Sequence, residues 1–232
     1  MTKIYTENDI IPKDETFLKL ENGILSLNYN DMSMNADFKK STKRLVFSNL
    51  KNELIVKAVQ IKGERPEFLN VLDATAGFGE DSLLLAGYGF RVILYERNEF
   101  VGLLLQNALE RAKNDSDNPV LQDAASKMTL IKGDSIAAMN EKKHDVDVVV
   151  LDPMFPERNK SGLIKKKFQL IHEFISPCEE EEILMDAALN SGARKIVVKR
   201  PLKASFLAGV KPNYSVKGKN IRYDVILSKG EL

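Results

Sequence analysis

From Phe68 onward the chain alternates short apolar runs with amphipathic stretches, and this rhythm restricts the fold more than any other feature of the sequence. Strand-like runs at 70–72, 91–95, 128–131, 146–151 and 195–198 are separated by helical patterns after Gly79 and at 98–113, 164–174 and 179–190. Strands that are apolar without alternation are buried on both faces, and parallel neighbours need crossovers long enough for a helix. The spacing therefore predicts an α/β fold with a mostly parallel sheet. Two last runs, 213–217 and 222–227, are joined by Gly218-Lys219-Asn220 with no helix between them, which predicts a terminal antiparallel hairpin.

Upstream, 16–20 and 24–29 alternate apolar and polar residues around the turn residues Glu21-Asn22-Gly23, so residues 1–46 are expected to form a small β-rich appendage. Leu50, Leu54, Ile55, Ala58, Val59 and Ile61 fall at helical spacing, and Lys62-Gly63 ends the pattern. One helix over 49–62 should then lead into a main domain spanning 47–232. A chain of 232 residues with 44% hydrophobic and 29% charged residues can bury a full core, which excludes a disordered polyelectrolyte. A net charge of +1 leaves polyanion binding to local clusters. One cysteine, Cys178, and two histidines, His144 and His172, exclude an internal disulfide and a multi-cysteine zinc site, and no metal is expected. Without an apolar signal core or a long uncharged apolar run, the chain reads as cytoplasmic, with no membrane association and no obligate protein partner evident.

The run Val71-Leu72-Asp73-Ala74-Thr75-Ala76-Gly77-Phe78-Gly79-Glu80-Asp81 follows a buried strand and opens a helix, where an open parallel sheet binds nucleotide-like ligands. Gly77 and Gly79 permit a tight turn and close approach of a ligand. Such a turn is common, and on its own it could be purely structural, with Asp81 as a favourable charge at a helix N-terminus. The second strand ends in Glu96, whose carboxylate can accept from both hydroxyls of a ribose. A dinucleotide site would carry a third glycine where this chain has Ser82, and Glu80 and Asp81 would repel a pyrophosphate. Those two acids suit instead the cationic methionine end of S-adenosylmethionine (SAM). After the third strand, Asp134 of Lys132-Gly133-Asp134-Ser135 is placed to accept from an adenine amino group.

The fourth strand ends in Asp152-Pro153-Met154-Phe155-Pro156, close to the Asp/Asn-Pro-Pro-aromatic motif of methyltransferases that modify base amines. An exocyclic amine is a poor nucleophile because its lone pair is delocalised into the ring. Asp152 and the Pro153 carbonyl would accept its two hydrogens while Phe155 stacks on the base. The same loop could be a rigid Pro-rich turn with Phe155 in the core. Basic residues follow at Arg158, Lys160, Lys165, Lys166 and Lys167, at Lys199, Arg200 and Lys203, and at Lys217, Lys219 and Arg222. They could hold RNA phosphates or be solvated faces. Lys39, Lys40, Lys43 and Arg44 admit the same two readings. Glu179 to Glu182 reads as an exposed acidic helix start, and His172, Cys178 and Tyr223 carry no assigned chemistry.

Over roughly residues 53–228 the chain resembles the ribosomal RNA small subunit methyltransferase J family. The resemblance rests on Asp73-Ala74-Thr75-Ala76-Gly77-Phe78-Gly79, Glu96-Arg97-Asn98, Leu151-Asp152-Pro153-Met154-Phe155-Pro156, Val198-Lys199-Arg200-Pro201 and Arg222-Tyr223-Asp224, with Met154 part of the family's own pattern. It implies a Rossmann-like class I methyltransferase sheet. It also implies SAM contacts at Glu80 and Asp81, Glu96 and Arg97, Asp134 and Ser135, and Asp152, beside the loop residues Asp73, Gly77 and Gly79. The implied reaction is methylation of a guanine N2 amine in 16S rRNA or the small ribosomal subunit, with S-adenosylhomocysteine as product.

Overall fold

The computed structural model describes residues 3–6, 9–10, 15–153 and 180–228. The helix expected at 164–174 and the residues Phe155, Pro156, Arg158, Lys160 and Lys165 lie outside the described residues. Four short strands open the chain: β1 (Ile4–Tyr5), β2 (Phe17–Glu21), β3 (Ile24–Tyr29) and β4 (Met32–Met34), ordered β1-β2-β3-β4 in one sheet. The β2–β3 hairpin turns through Asn22 and Gly23, both left-handed with φ of 49° and 76°, as the sequence leads one to expect. A 3-10 helix (Phe38–Leu45) follows, capped by the Asp37 side chain accepting from the Lys39 amide.

The single helix expected over 49–62 is instead two, α1 (Phe47–Leu50) and α2 (Leu54–Val59). Glu53 between them is extended, and the Arg44 guanidinium holds its carboxylate through two hydrogen bonds of 2.9 Å. A fork-to-carboxylate pair fixes geometry as well as charge, so the chain breaks there although the apolar spacing continues.

Seven strands form the main sheet in the order β10-β11-β9-β8-β5-β6-β7. They are β5 (Asn70–Asp73), β6 (Arg91–Glu96), β7 (Met128–Lys132), β8 (Val148–Leu151), β9 (Lys195–Pro201), β10 (Tyr214–Lys217) and β11 (Ile221–Leu227). The helices between them are α3 (Glu80–Tyr88), α4 (Glu99–Lys113), α5 (Pro119–Ser126), α6 (Ser135–Asn140) and α7 (Glu181–Asn190). All neighbours from β7 to β9 pair in parallel, while β11 is antiparallel to both β9 and β10, forming the expected terminal hairpin.

Both faces of this sheet are covered, and the strand residues divide alternately between two cores. Val71, Val148, Val150 and Val197 join one core; Leu72, Val149, Leu151, Ile196 and Val198 join the other. The first core also takes in Leu18, Leu25 and Leu27 of the small sheet together with Leu104 and Leu105 of α4, so the appendage and main sheet share apolar packing. Asn107 of α4 adds polar ties, accepting from the Leu25 amide and donating to the Gly23 carbonyl, each at 3.0 Å. From β5 the chain builds outward through β6 and β7, then crosses to β8 on the other side of β5. That reversal opens a crevice at the carboxyl ends of β5 and β8. Among the described residues, no helix is long and apolar enough to cross a membrane.

Candidate active site

The glycine loop leaves β5 at Asp73, which is 4% exposed. Its carboxylate accepts from the Ser82 hydroxyl at 2.6 Å and from the Thr75 amide at 3.2 Å, stitching the start of the loop to α3. Burial pushes its pKa up to about 7, against the pull of these two hydrogen bonds. Gly79, with φ of 72°, caps α3 in a left-handed conformation, and a Cβ there would lie 2.8 Å from Leu105 Cδ1 and 3.2 Å from Phe38 Cζ. The left-handed backbone at 79 strains any other residue, and a Cβ there would also push against the ends of the Leu105 and Phe38 side chains. Gly77 is also left-handed, and its amide donates to Glu96 Oε2 at 2.9 Å while Glu96 Oε1 accepts from the Asn98 amide at 2.8 Å. Glu96, at the end of β6, thus closes the loop from the side, and burial raises its pKa.

Opposite this, α3 begins with Glu80 and Asp81. Asp81 Oδ2 accepts from Lys199 Nζ at 2.9 Å and from the Tyr223 hydroxyl at 3.1 Å. Lys199 Nζ lies equally 2.9 Å from Asp152 Oδ2. Lys199 and Tyr223 are direct register partners on β9 and β11, so both side chains stand on one face of the sheet. Burial works against the Lys199 charge, but the Asp152 and Asp81 carboxylates outweigh it and raise its pKa. Burial raises the Asp152 carboxyl, with Lys199 the chief opposing influence. Just past β8, the Asp152 amide donates to Thr75 Oγ1 at 2.6 Å, which ties the end of β8 to the glycine loop.

A cavity of about 380 Å³ runs along these strand ends and is lined by all ten residues expected to hold the cofactor, with Pro153 beside them. Asp134 caps α6 by accepting from the Ile136 amide at 2.9 Å and is exposed, while Ser135 is buried. Arg97 is exposed and lies 3.4 Å from Glu180. The lining fits SAM through the chemistry of its acceptors. Glu96 and Asp134 present carboxylates at the ends of adjacent strands, and two acids stand at the helix start where a pyrophosphate ligand would need positive potential.

Three of the basic residues assigned to RNA are corrected by their positions. Lys199 points into the cavity between two carboxylates rather than outward. Arg200 is 3% exposed, pairs with Glu181 at 3.3 Å and donates to the Ser205 carbonyl, so burial removes it from a phosphate face. Glu181 and Glu182 form the expected acidic helix start, and Glu181 also pairs with Arg200. Arg222, also buried, pairs with Asp224 and donates to the carbonyls of Pro201, Leu202 and Ala204. Tyr223, which has no assigned chemistry in the sequence, is buried in the first core and also carries a hydrogen bond into the site. Its signal was the strand register opposite Lys199, which composition does not carry. Ser82 and Thr75 were likewise missed as the residues that fix Asp73 and Asp152.

Residues 6–228 match the family model described as SAM-dependent methyltransferase. The chain is 35% identical to ribosomal RNA small subunit methyltransferase J of Francisella philomiragia over 97% of its own length and 93% of that protein. It is 40% identical to ribosomal RNA small subunit methyltransferase J of Pseudomonas aeruginosa over 82% of this chain and 71% of the relative. Among solved structures, a SAM-dependent methyltransferase from Neisseria gonorrhoeae superposes with a TM-score of 0.75 at 29% identity, covering 95% of this chain and 86% of that one.

Proposed function

Because the chain belongs to the SAM-dependent methyltransferase family that includes the ribosomal RNA small subunit methyltransferases J, we propose that it methylates the exocyclic N2 amine of a guanine in 16S rRNA. It is a SAM-dependent rRNA methyltransferase; the guanine, its N2 position and the residues assigned below are our reading. Glu96 accepts from the ribose hydroxyls of the donor, Asp134 from its adenine amino group, and Glu80 and Asp81 face its cationic methionine end. When bound, SAM supplies a methyl group on a positively charged sulfur, which keeps the electron pair of the broken C–S bond and leaves as S-adenosylhomocysteine.

The protein's own contribution is to hold the amine. The Asp152 carboxylate and the Pro153 carbonyl accept its two hydrogens, which localises the nitrogen lone pair and aims it into the cavity, while Phe155 stacks on the base. The nitrogen becomes acidic only as its bond to the methyl carbon forms, so Asp152 can orient it while water takes the proton. Arg158, Lys160 and Lys165, with the exposed Lys203, Lys217 and Lys219, are the side chains we assign to RNA phosphates.

The observation that supports this most directly is the 2.6 Å bond from the Asp152 amide to Thr75 Oγ1, which holds Asp152 beside the glycine loop on the wall of one cavity. Mass spectrometry of 16S rRNA from a deletion strain tests it. One N2-methylguanine should be lost, restored by the intact gene and not by Asp152→Ala. An unchanged modification profile would refute the substrate assignment, and absence of calorimetric binding of SAM would refute the donor.

A further inference from the structure

Lys199 is placed between the two ends of the reaction. Its ammonium is 2.9 Å from Asp81, on the donor side, and 2.9 Å from Asp152, on the acceptor side. The Tyr223 hydroxyl adds a second donor on the same Asp81 oxygen that Lys199 contacts. A lysine ammonium has three donors on a flexible stem and can serve two carboxylates at once. We propose that Lys199 is a positioning residue that couples donor binding to acceptor binding: a cationic donor drawn to Asp81 competes for the carboxylate that Lys199 holds, leaving the lysine to clamp Asp152 for the incoming amine. This rests on the functional reading above.

The charge arithmetic supports it. Asp81 and Asp152 carry two negative charges and Lys199 one positive, so the trio keeps a net negative charge that attracts a cation. Around it stand Glu80 on α3, Arg44 on the 3-10 helix, Asp73 at the end of β5, Arg200 on β9 and Tyr223 on β11; of these, Arg44 feels Asp81 and Glu80, and Asp152 feels Arg200. Lys199 is the influence that most opposes the rise of the Asp152 pKa caused by burial. Removing its charge should therefore act in opposite directions on the two ends. The donor meets a more negative pocket, while the amine meets a carboxylate that is neither held nor kept ionised. A lysine that merely props up the fold would weaken both.

Calorimetry with SAM, beside single-turnover methylation of rRNA across neutral pH, separates these. Lys199→Met should bind SAM several-fold more tightly at alkaline pH, turn over roughly tenfold to a hundredfold more slowly, and shift the acid limb of its rate profile to higher pH. Lys199→Arg keeps the charge and should retain wild-type donor affinity and an acid limb near wild type, with a smaller loss of rate. Parallel weakening of donor binding and turnover in Lys199→Met, or a Lys199→Arg variant whose acid limb moves as far as full charge removal predicts, would overturn the proposal. Failure of the wild-type protein to bind SAM would overturn the functional reading instead.

Discussion

Asp73→Asn is the substitution whose consequence can be worked furthest from the structure. In the native protein Asp73 is buried and its pKa stands at about 7, against an ordinary value of 3.8. Below about pH 4 the carboxyl is protonated in both folded and unfolded chains and costs nothing. Between about pH 4 and 7 the unfolded chain gives up this proton while the native one keeps it, so stability falls as pH rises through that window and levels off above it. A shift of roughly three units at 1.36 kcal/mol each sets the penalty at about 4 kcal/mol. Asparagine can still accept from the Thr75 amide and can donate to Ser82, preserving both local bonds while removing the titration. Urea denaturation of wild type and Asp73→Asn at a series of pH values measures it, because titrations that are not coupled to Asp73 cancel in the difference. The stability of wild type relative to the variant should decline by up to about 4 kcal/mol from about pH 4 to about pH 7. A difference that stays constant with pH would refute the reasoning, since it would mean that Asp73 ionises alike in both states.

Gly79→Ala forces a Cβ to within 2.8 Å of Leu105 at a backbone φ of 72°, and should destabilise by about 1–3 kcal/mol in urea with a parallel loss of donor affinity. Arg222→Met strips Asp224 of its buried charged partner and takes one donor from each of three carbonyls; a loss of about 3–5 kcal/mol is expected in denaturant melts, and a change within about 0.5 kcal/mol would contradict this account. Glu96→Gln replaces an acceptor for the Gly77 amide and the donor ribose. Calorimetry should show SAM affinity roughly tenfold or more weaker, while filter binding of rRNA stays at the wild-type level.

The main sheet was legible because its strands are apolar on consecutive residues, a pattern that only two-sided burial produces. Val148 to Leu151 is the clearest case, with alternate residues entering different cores. The carboxylates at strand ends were legible for the same reason: Glu96 and Asp152 interrupt apolar runs where the sheet must meet solvent or ligand. What the one-dimensional pattern could not carry was pairing across the sheet. Lys199 and Arg200 look like adjacent surface cations, yet strand alternation sends one to the cavity and the other to Glu181. Tyr223 reaches Asp81 only because β11 inserts beside β9. The break between α1 and α2 depends on Arg44, which is nine residues from Glu53 and belongs to another helical segment. Helix α5 carries little periodic signal although Asn118 and Pro119 supply a capping residue and a first-turn proline. Its apolar stripe is short, and the polar residues before it resemble a plain loop.

The contact of Gly79 with Phe38 and Leu105 has a consequence for how the sequence can change. One small volume is divided among a 3-10 helix near the amino-terminal sheet, the donor loop and the middle of α4. Adding a side chain at Gly79, or enlarging Phe38 or Leu105, takes space from the others. Relatives that carry a bulkier residue at the position of Phe38 or Leu105 should carry a smaller one at its counterpart, and grafting the amino-terminal segment of one relative onto another should disturb SAM affinity although none of its described residues lines the cavity.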